Sequence, residues 1–135
     1  MREAAVMLVI KDGLILSVSR KEDHTRFGLP GGKRENFESM KDCAIREIKE
    51  ETSIVVKEAE LIFIRNEPPM FKGGEYFCTY CFLATSWEGE SKNSEDSIVT
   101  WLTADQLTGT AGAFPIYNKK TLEVLTTKFP NIELK

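Results

Sequence analysis

The chain has 135 residues, of which 41% are hydrophobic and 29% charged, and its formal net charge at pH 7 is −3. This length suits one domain around one core, and the slightly acidic balance excludes the strongly basic surface of a protein that binds nucleic-acid polymers. No stretch approaches the ~18 apolar residues of a membrane span, and the apolar run that ends at Lys11 is too short for an export signal. We therefore expect a single domain over residues 1–135, with no nucleic-acid polymer and no membrane as partner.

Three cysteines, an odd number, fit a reducing cytoplasm better than a disulfide framework. Cys78 and Cys81 form a lone C-x-x-C, whereas zinc sites of this kind usually need a second pair of ligands. The pair lies in a segment that reads as a strand, where residues three apart point to opposite faces. We expect the cysteines to pack in the core, in a cytoplasmic protein.

Two short apolar runs at the start predict strands over residues 4–10 and 14–19, and Asp12-Gly13 between them predicts a hairpin turn. A polar loop over residues 20–27 follows. The next segment, FGLPGG, carries three glycines and a proline in six residues, which indicates a tight, constrained backbone.

A helix is predicted next, because Ser39 and Asp42 fit a capping box with Ser39 as N-cap. Apolar residues then recur at helical spacing up to Ile48, and the pattern ends at Thr52-Ser53. Further strands are predicted over residues 54–56, 61–64, 76–85 and 98–102.

The last part of the chain predicts two more helices. Thr103 and Gln106 form a second capping box that opens a short helix through Leu107. A loop of small residues leads to a final helix over residues 118–128, with Pro130 beyond it. This order of strands and helices predicts an α/β or α+β fold with a mixed sheet between helices.

The REIKEE segment places Glu47, Glu50 and Glu51 on about one turn of the first helix, where like charges repel. Two interpretations are open. The patch is a solvated acidic face with Arg46 and Lys49 nearby, or it holds a hard cation such as Mg²⁺, with Mn²⁺ as a substitute, since Mg²⁺ binds few carboxylates together with waters and substrate phosphates.

The spacing around this patch separates the two interpretations. The pattern resembles the Nudix box, G-x5-E-x7-R-E-U-x-E-E-x-G-U with U aliphatic, at Gly32, Glu38, Arg46, Glu47, Ile48, Glu50, Glu51 and Ile54. One fixed position departs, because Ser53 stands where the family has glycine, in a turn where glycine accepts a left-handed conformation cheaply. FGLPGG is similar to the W-x-x-P-G-G segment of MutT-like members, with Phe27 in place of tryptophan.

The resemblance implies the Nudix fold and hydrolysis of a nucleoside diphosphate linked to another group. It implies that Glu47, Glu50, Glu51 and the Gly31 carbonyl bind Mg²⁺. It also implies that Glu38 supports this site and that Arg46 orients Glu47. Mg²⁺ at such a site neutralises the diphosphate, and a carboxylate near the attacking water takes its proton.

The base that takes this proton stays open between a box glutamate and an acidic residue of a later loop. The later candidates are Glu95, which we prefer, and Asp96. The alternative for both is a solvated loop.

Substrate contacts are sought outside the box. Arg20 is a candidate for the phosphates, since arginine suits bidentate phosphate contact, and surface solvation is its alternative. Asn118 is a candidate base reader, as in MutT-like members, or a helix N-cap, and both roles are compatible. Phe27 is either a stacking surface or a buried aromatic.

Three functions remain in competition, each with a small nucleotide as the ligand. We favour a MutT-like pyrophosphatase acting on a (deoxy)nucleoside triphosphate such as 8-oxo-dGTP. The alternative is an ADP-ribose or nucleotide-sugar pyrophosphatase, to which Pro69, fifteen positions after Ile54, points. A non-catalytic nucleotide-binding module is disfavoured because all three helix glutamates are present. The preferred base and the oligomeric state, monomer or dimer, stay open.

Overall fold

The computed structural model describes residues 2–67 and 72–135. Pro68 and Pro69, on which the ADP-ribose alternative depends, lie outside the described residues. The elements in chain order are β1 (Arg2–Leu8), β2 (Ile10–Lys11), β3 (Leu14–Ser19), β4 (Phe27–Gly28), β5 (Gly31–Lys33), α1 (Met40–Thr52), β6 (Val55–Glu67), β7 (Phe77–Glu88), β8 (Val99–Leu102), α2 (Ala104–Thr108) and α3 (Pro115–Lys128).

The strands form two sheets. The first has the order β5-β1-β7-β6, with β1 parallel to β7 and the other neighbours antiparallel. The second has the order β2-β3-β4, and β8 pairs antiparallel with β3. The predicted mixed sheet is therefore confirmed, and a smaller antiparallel sheet accompanies it.

The core lies on both faces of the first sheet because side chains of a strand alternate between faces. Residues 5, 7 and 9 of the β1 region pack in one cluster with Cys43, Ala44 and Ile48 of α1. Leu8 and Cys81 pack in a second cluster with residues of α2 and α3. The sheet is thus covered by helices on both sides, as the sequence predicts.

The predicted hairpin turn is confirmed. Asp12 and Gly13 both have positive φ, 52° and 79°, which is the geometry that an Asp-Gly turn supplies between two antiparallel strands. Strand β3 follows over the predicted residues.

The separate strands predicted over residues 54–56 and 61–64 are wrong, since one strand, β6, runs from Val55 to Glu67. The polar residues Lys57, Glu58 and Glu60 suggest a break in the sequence. In the structure they are exposed on a strand at the edge of its sheet, where polar side chains reach water.

Local capping explains where the helices begin and end. Ser39 Oγ accepts a hydrogen bond from the Asp42 amide at the start of α1, and Ser53 ends that helix in the left-handed conformation with φ 71°. Thr103 and Gln106 form the predicted capping box of α2. Within the described residues no helix is long and apolar enough to cross a membrane.

The predicted start of the last helix is wrong. Helix α3 begins at Pro115, one turn before Asn118, and its N-cap is Phe114. Proline suits the first helical position because its missing N–H has no partner there. Asn118 is therefore not an N-cap but an interior helix residue.

Candidate active site

Arg46 offsets the repulsion within the acidic patch of α1. Its Nε and Nη2 donate to the two carboxylate oxygens of Glu38, at 3.0 and 2.8 Å. Its Nη1 donates to Glu47 Oε1 at 3.0 Å and to Glu50 Oε2 at 3.3 Å. One guanidinium thus joins three carboxylates, which a planar group with five donors can do.

Glu38 is fixed by this contact and by the loop before α1. Its Oε1 also accepts the backbone amide of Glu35 at 2.8 Å. The bidentate bonds from Arg46, together with this amide, lower the pKa of Glu38 to about 2. Glu38 therefore stays ionised and holds the Arg46 side chain in place.

Glu47 lies against the backbone of Gly32. A Cβ atom at position 32 would collide with the Glu47 carboxylate where it now lies, so glycine permits this close approach without moving the Glu47 side chain. The Glu47 side chain is 18% exposed, and desolvation raises its pKa in spite of the bonds from Arg46. Gly32 of the box thus allows the Glu47 carboxylate of α1 to lie directly against strand β5.

Glu51 is held by the neighbouring residue of the same strand. Its Oε1 accepts the Gly31 amide at 2.8 Å. Burial raises the pKa of Glu51 to about 7, although the Gly31 bond acts in the opposite direction. Gly31 itself pairs with Val6 of β1, where a side chain would collide with the β1 backbone.

The donor set fits a hard cation. Glu47 and Glu51 present carboxylate oxygens beside the Gly31-Gly32 backbone, and Glu50 is 60% exposed on the same helix. In the part of the chain that the structure describes, no three His, Cys, Asp or Glu side chains converge as a ready metal cluster. Mg²⁺ suits such a set because it takes one or two carboxylates and keeps several waters.

A cavity of about 340 Å³ opens beside Glu51 and Gly31, and its lining also includes Arg20, Ser97 and Phe114. Arg20 forms an ion pair with Glu22 at 2.7 Å, and its guanidinium carbon lies 4.8 Å from the centre of the Phe114 ring. The sequence-predicted phosphate candidate and a box glutamate therefore share one cavity.

A smaller cavity of about 110 Å³ is lined by Val6, Leu29, Thr79, Phe114, Tyr117 and Asn118. Leu29 and Phe114 line both cavities. Asn118 is 1% exposed, and its Nδ2 donates to the Leu107 carbonyl at 3.0 Å. The amide of Asn118 thus joins α3 to α2 and also borders this cavity.

Two sequence candidates lie apart from the cavities. Phe27 packs against the core cluster of α2 and α3, and it is in the lining of neither cavity. Glu95 is exposed in the loop before β8, whose Ser97 lines the larger cavity. Asp96 contacts the opposite loop, with its carbonyl 3.0 Å from the His24 ring and its carboxylate 3.6 Å from Lys21.

The sequence analysis missed Phe114, Leu29 and Ser97 as cavity residues. Leu29 lies inside the FGLPGG segment, so its neighbours already pointed to the site. Phe114 precedes a proline at a helix start, which marks the helix boundary but not the cavity. Ser97 directly follows Glu95 and Asp96, so its loop was already a candidate although Ser97 itself was not.

Comparison with known proteins now defines the class. The family model of the NUDIX domain matches residues 1–124. The chain belongs to the Nudix family of hydrolases, which confirms the resemblance of the Gly32–Ile54 pattern.

Individual relatives agree with this assignment. An ADP-ribose pyrophosphatase of Methanocaldococcus jannaschii is 32% identical over 92 residues, which are 67% of this chain and 54% of that protein, so the match spans about half of the relative. The crystal structure of a MutT NUDIX hydrolase from Burkholderia pseudomallei has a TM-score of 0.78 at 27% identity, covering 93% of this chain and 98% of that one. A MutT protein from Bacillus halodurans shares the fold, with a TM-score of 0.74 at 24% identity over 99% of this chain and 86% of that one.

Proposed function

We propose that the protein is a Mg²⁺-dependent pyrophosphatase of (deoxy)nucleoside triphosphates, releasing a nucleoside monophosphate and pyrophosphate. One observation carries the proposal: Arg20 and Glu51 line the same cavity of about 340 Å³. This shared lining supports the proposal, because cleavage of a phosphate anhydride needs a cation for the phosphates close to a carboxylate that can hold a metal ion.

The chain's own residues have separate parts in this proposal. Glu47, Glu50, Glu51 and the Gly31 carbonyl would hold the cation, which when bound neutralises phosphate charge and orients the attacking water. Arg46 keeps Glu47 in place, and Glu38 keeps Arg46 in place, through the bonds already described. Arg20 would exchange its contact with Glu22 for substrate phosphates.

A box carboxylate is our first choice for the group that takes the proton of the attacking water. Before a cation binds, burial holds the pKa of Glu51 at about 7 and also raises that of Glu47. A bound cation would lower both pKa values and keep these carboxylates ionised, which is the form that accepts a proton. Glu95 remains the alternative, from a loop whose Ser97 borders the cavity.

ADP-ribose is the second candidate substrate, because the relative from Methanocaldococcus jannaschii is named an ADP-ribose pyrophosphatase. That match covers about half of the relative, whereas the MutT hydrolase from Burkholderia pseudomallei matches over nearly the whole of both chains. This difference in coverage is why we place the triphosphate first.

A hydrolysis panel with product identification tests the proposal. It compares (deoxy)nucleoside triphosphates, 8-oxo-dGTP and ADP-ribose, with Mg²⁺, with Mn²⁺ and with EDTA. We expect nucleoside monophosphate and pyrophosphate from a triphosphate, and a roughly 100-fold or greater loss of kcat in Glu50→Gln, because losing a group that stabilises transition-state charge has effects of that order.

Glu60→Gln is the matched control, since Glu60 is exposed on β6 and lines neither of the two cavities. It should retain full activity. Near-normal turnover by Glu50→Gln would remove the metal assignment. AMP and ribose 5-phosphate from ADP-ribose, with triphosphates left intact, would establish the second candidate instead.

A further inference from the structure

Phe114 occupies a position that its residue type does not suit. It is the N-cap of α3, and its side chain makes no capping hydrogen bond. N-cap positions favour Ser, Thr, Asp and Asn, whose side chains satisfy free amides of the first turn. Among the described residues, Phe114 also belongs to neither core cluster. A residue that does not suit its position in the helix and does not belong to the core is typical of functional sites.

The Phe114 side chain lies where the two cavities meet. On one side the lining includes the charged residues Arg20 and Glu51, and on the other it includes Val6, Tyr117 and the amide of Asn118. A nucleotide has the same polarity, with anionic phosphates at one end and an aromatic base at the other. The Phe114 ring therefore lies between the space suited to the phosphates and the space suited to the base.

The backbone around Phe114 is held on both sides. The Phe27 amide donates to the Ala111 carbonyl and the Ala113 amide donates to the Phe27 carbonyl, both at 2.7 Å, and the Asn118 amide donates to the Phe114 carbonyl at 2.9 Å. Arg20 lies over the ring, and a Cβ atom added at Gly28 would be in ordinary van der Waals contact with the ring. The chain thus presents a fixed aromatic surface, which a binding site needs.

We propose that Phe114 is a specificity-determining residue that stacks on the nucleobase. The base would extend toward Leu29 and Asn118, and the phosphates toward Arg20 and Glu51. This inference rests on the proposed function, in which Arg20 would turn from the Phe114 ring toward the substrate phosphates and so free that face of the ring for the base.

Phe114→Asn separates this role from a structural one, because asparagine is a good N-cap. We expect an unchanged or higher Tm. We also expect the KM for the preferred nucleoside triphosphate to rise about tenfold or more, since base–aromatic stacking has effects of this size. The inhibition constant of pyrophosphate, which has no base, should stay the same.

Ile116→Asn is the matched control on the same helix. Ile116 is 75% exposed and faces a groove between β6 and α3, away from both cavities. The KM of the Ile116→Asn variant should equal that of the wild type. Phe114→Tyr, which keeps an aromatic ring, should retain the wild-type KM, whereas Phe114→Leu should show the same KM increase as Phe114→Asn and serves if the asparagine variant does not fold.

An unchanged KM in Phe114→Asn and Phe114→Leu would overturn the inference, and so would equal increases in the pyrophosphate constant. If the wild-type protein cleaves no nucleotide, the proposed function fails separately. Calorimetric titration with AMP and GMP then decides on Phe114: weaker binding by Phe114→Asn supports the stacking role, and equal or absent binding in both proteins rejects it.

Discussion

At the scale of single residues, the acidic patch depends on one arginine. Arg46 is 23% exposed and bonds to Glu38, Glu47 and Glu50 at once. Partly buried carboxylates without this partner would repel one another and lose their hydrogen bonds. The arrangement of the patch therefore requires the planar fork of arginine, and positive charge alone does not reproduce it.

Arg46→Lys tests this requirement. Lysine keeps the charge but cannot bond bidentately to Glu38 while reaching Glu47, so we expect a loss of roughly 1–3 kcal/mol in the free energy of unfolding and a marked fall in kcat. Urea unfolding and turnover assays measure both.

Arg2→Lys is the control for that variant. Arg2 forms an ion pair with Glu75 at 3.2 Å, and more than half of each side chain is exposed. Weakening this exposed ion pair should change the free energy of unfolding by at most about 1 kcal/mol. Equal effects of the two substitutions would mean that the bidentate geometry at Arg46 has no special role.

At the scale of elements, the one departure from the Nudix box is Ser53, and it affects only the turn that ends α1. Ser53 ends α1 with φ 71°, and its amide donates to the Lys49 carbonyl at 3.0 Å. Serine thus adopts the left-handed conformation that glycine would take more cheaply. The turn of α1 that carries Glu47, Glu50 and Glu51 keeps its course, because the helix ends after Glu51 in the expected way.

Restoring the family residue should stabilise the protein. Ser53→Gly removes the strain of a side chain at positive φ, which exceeds the added chain entropy of glycine, so we expect a gain of about 0.5–1 kcal/mol in the free energy of unfolding. Thermal and urea unfolding measure it. Ser94→Gly, at an exposed loop position without positive φ, should lose stability, and a gain of the same size there would point to a cause other than the turn.

Much of this element scale could be predicted. Ser39, Thr103 and Asp12-Gly13 act through local hydrogen bonds and backbone preference, so their effects are visible in the sequence and were confirmed. The unity of β6 could not, because it depends on a partner strand that is distant in the chain, whereas the start of α3 at Pro115 has a local signal that the prediction did not use. Strand β7 pairs with β6 along its polar stretch, and the interior position of Asn118 follows from the helix start at Pro115, one turn earlier.

At the scale of the whole molecule, the candidate site makes stability depend on pH. The pKa of Glu51 is about 7 in the folded chain against an ordinary value of 4.5. Between these values the folded state keeps a proton that the unfolded chain releases, so this contribution to stability falls as pH rises. Glu38 acts at lower pH, since its pKa of about 2 stabilises the fold above 4.5 and this contribution is lost as pH falls toward 2.

Glu51→Gln therefore should flatten the decline in Tm of metal-free protein between pH 4.5 and 7 and raise its Tm at about pH 8. Differential scanning fluorimetry in EDTA across this range measures the effect, with Glu60→Gln as the control. Adding Mg²⁺ at about pH 8 should stabilise the wild type more than Glu51→Gln. Identical pH profiles for the two proteins would show that Glu51 titrates normally.

The shared cavity is the part of the whole molecule that the sequence predicts least. Arg20 and Glu51 are 31 positions apart, and each was proposed on its own grounds. Their meeting depends on how β3 and β4 of the second sheet approach β5 of the first sheet and α1, and Phe114 joins them from the far end of the chain. Spacing within a motif predicts a local ligand set, whereas a cavity is a property of the packed chain.

The irregular edge of the first sheet has a consequence for behaviour in a crowded solution. The pairing of β6 with β7 shifts register between Val56 and Glu58, between Glu58 and Ala59, and between Leu61 and Phe63. Each register shift breaks the even spacing of amides and carbonyls that a strand from another molecule would have to match. The exposed charges of Lys57 and Glu60 oppose the approach of that strand through repulsion or the cost of desolvation. We expect the longest open strand of the molecule to be a poor template for fibril growth.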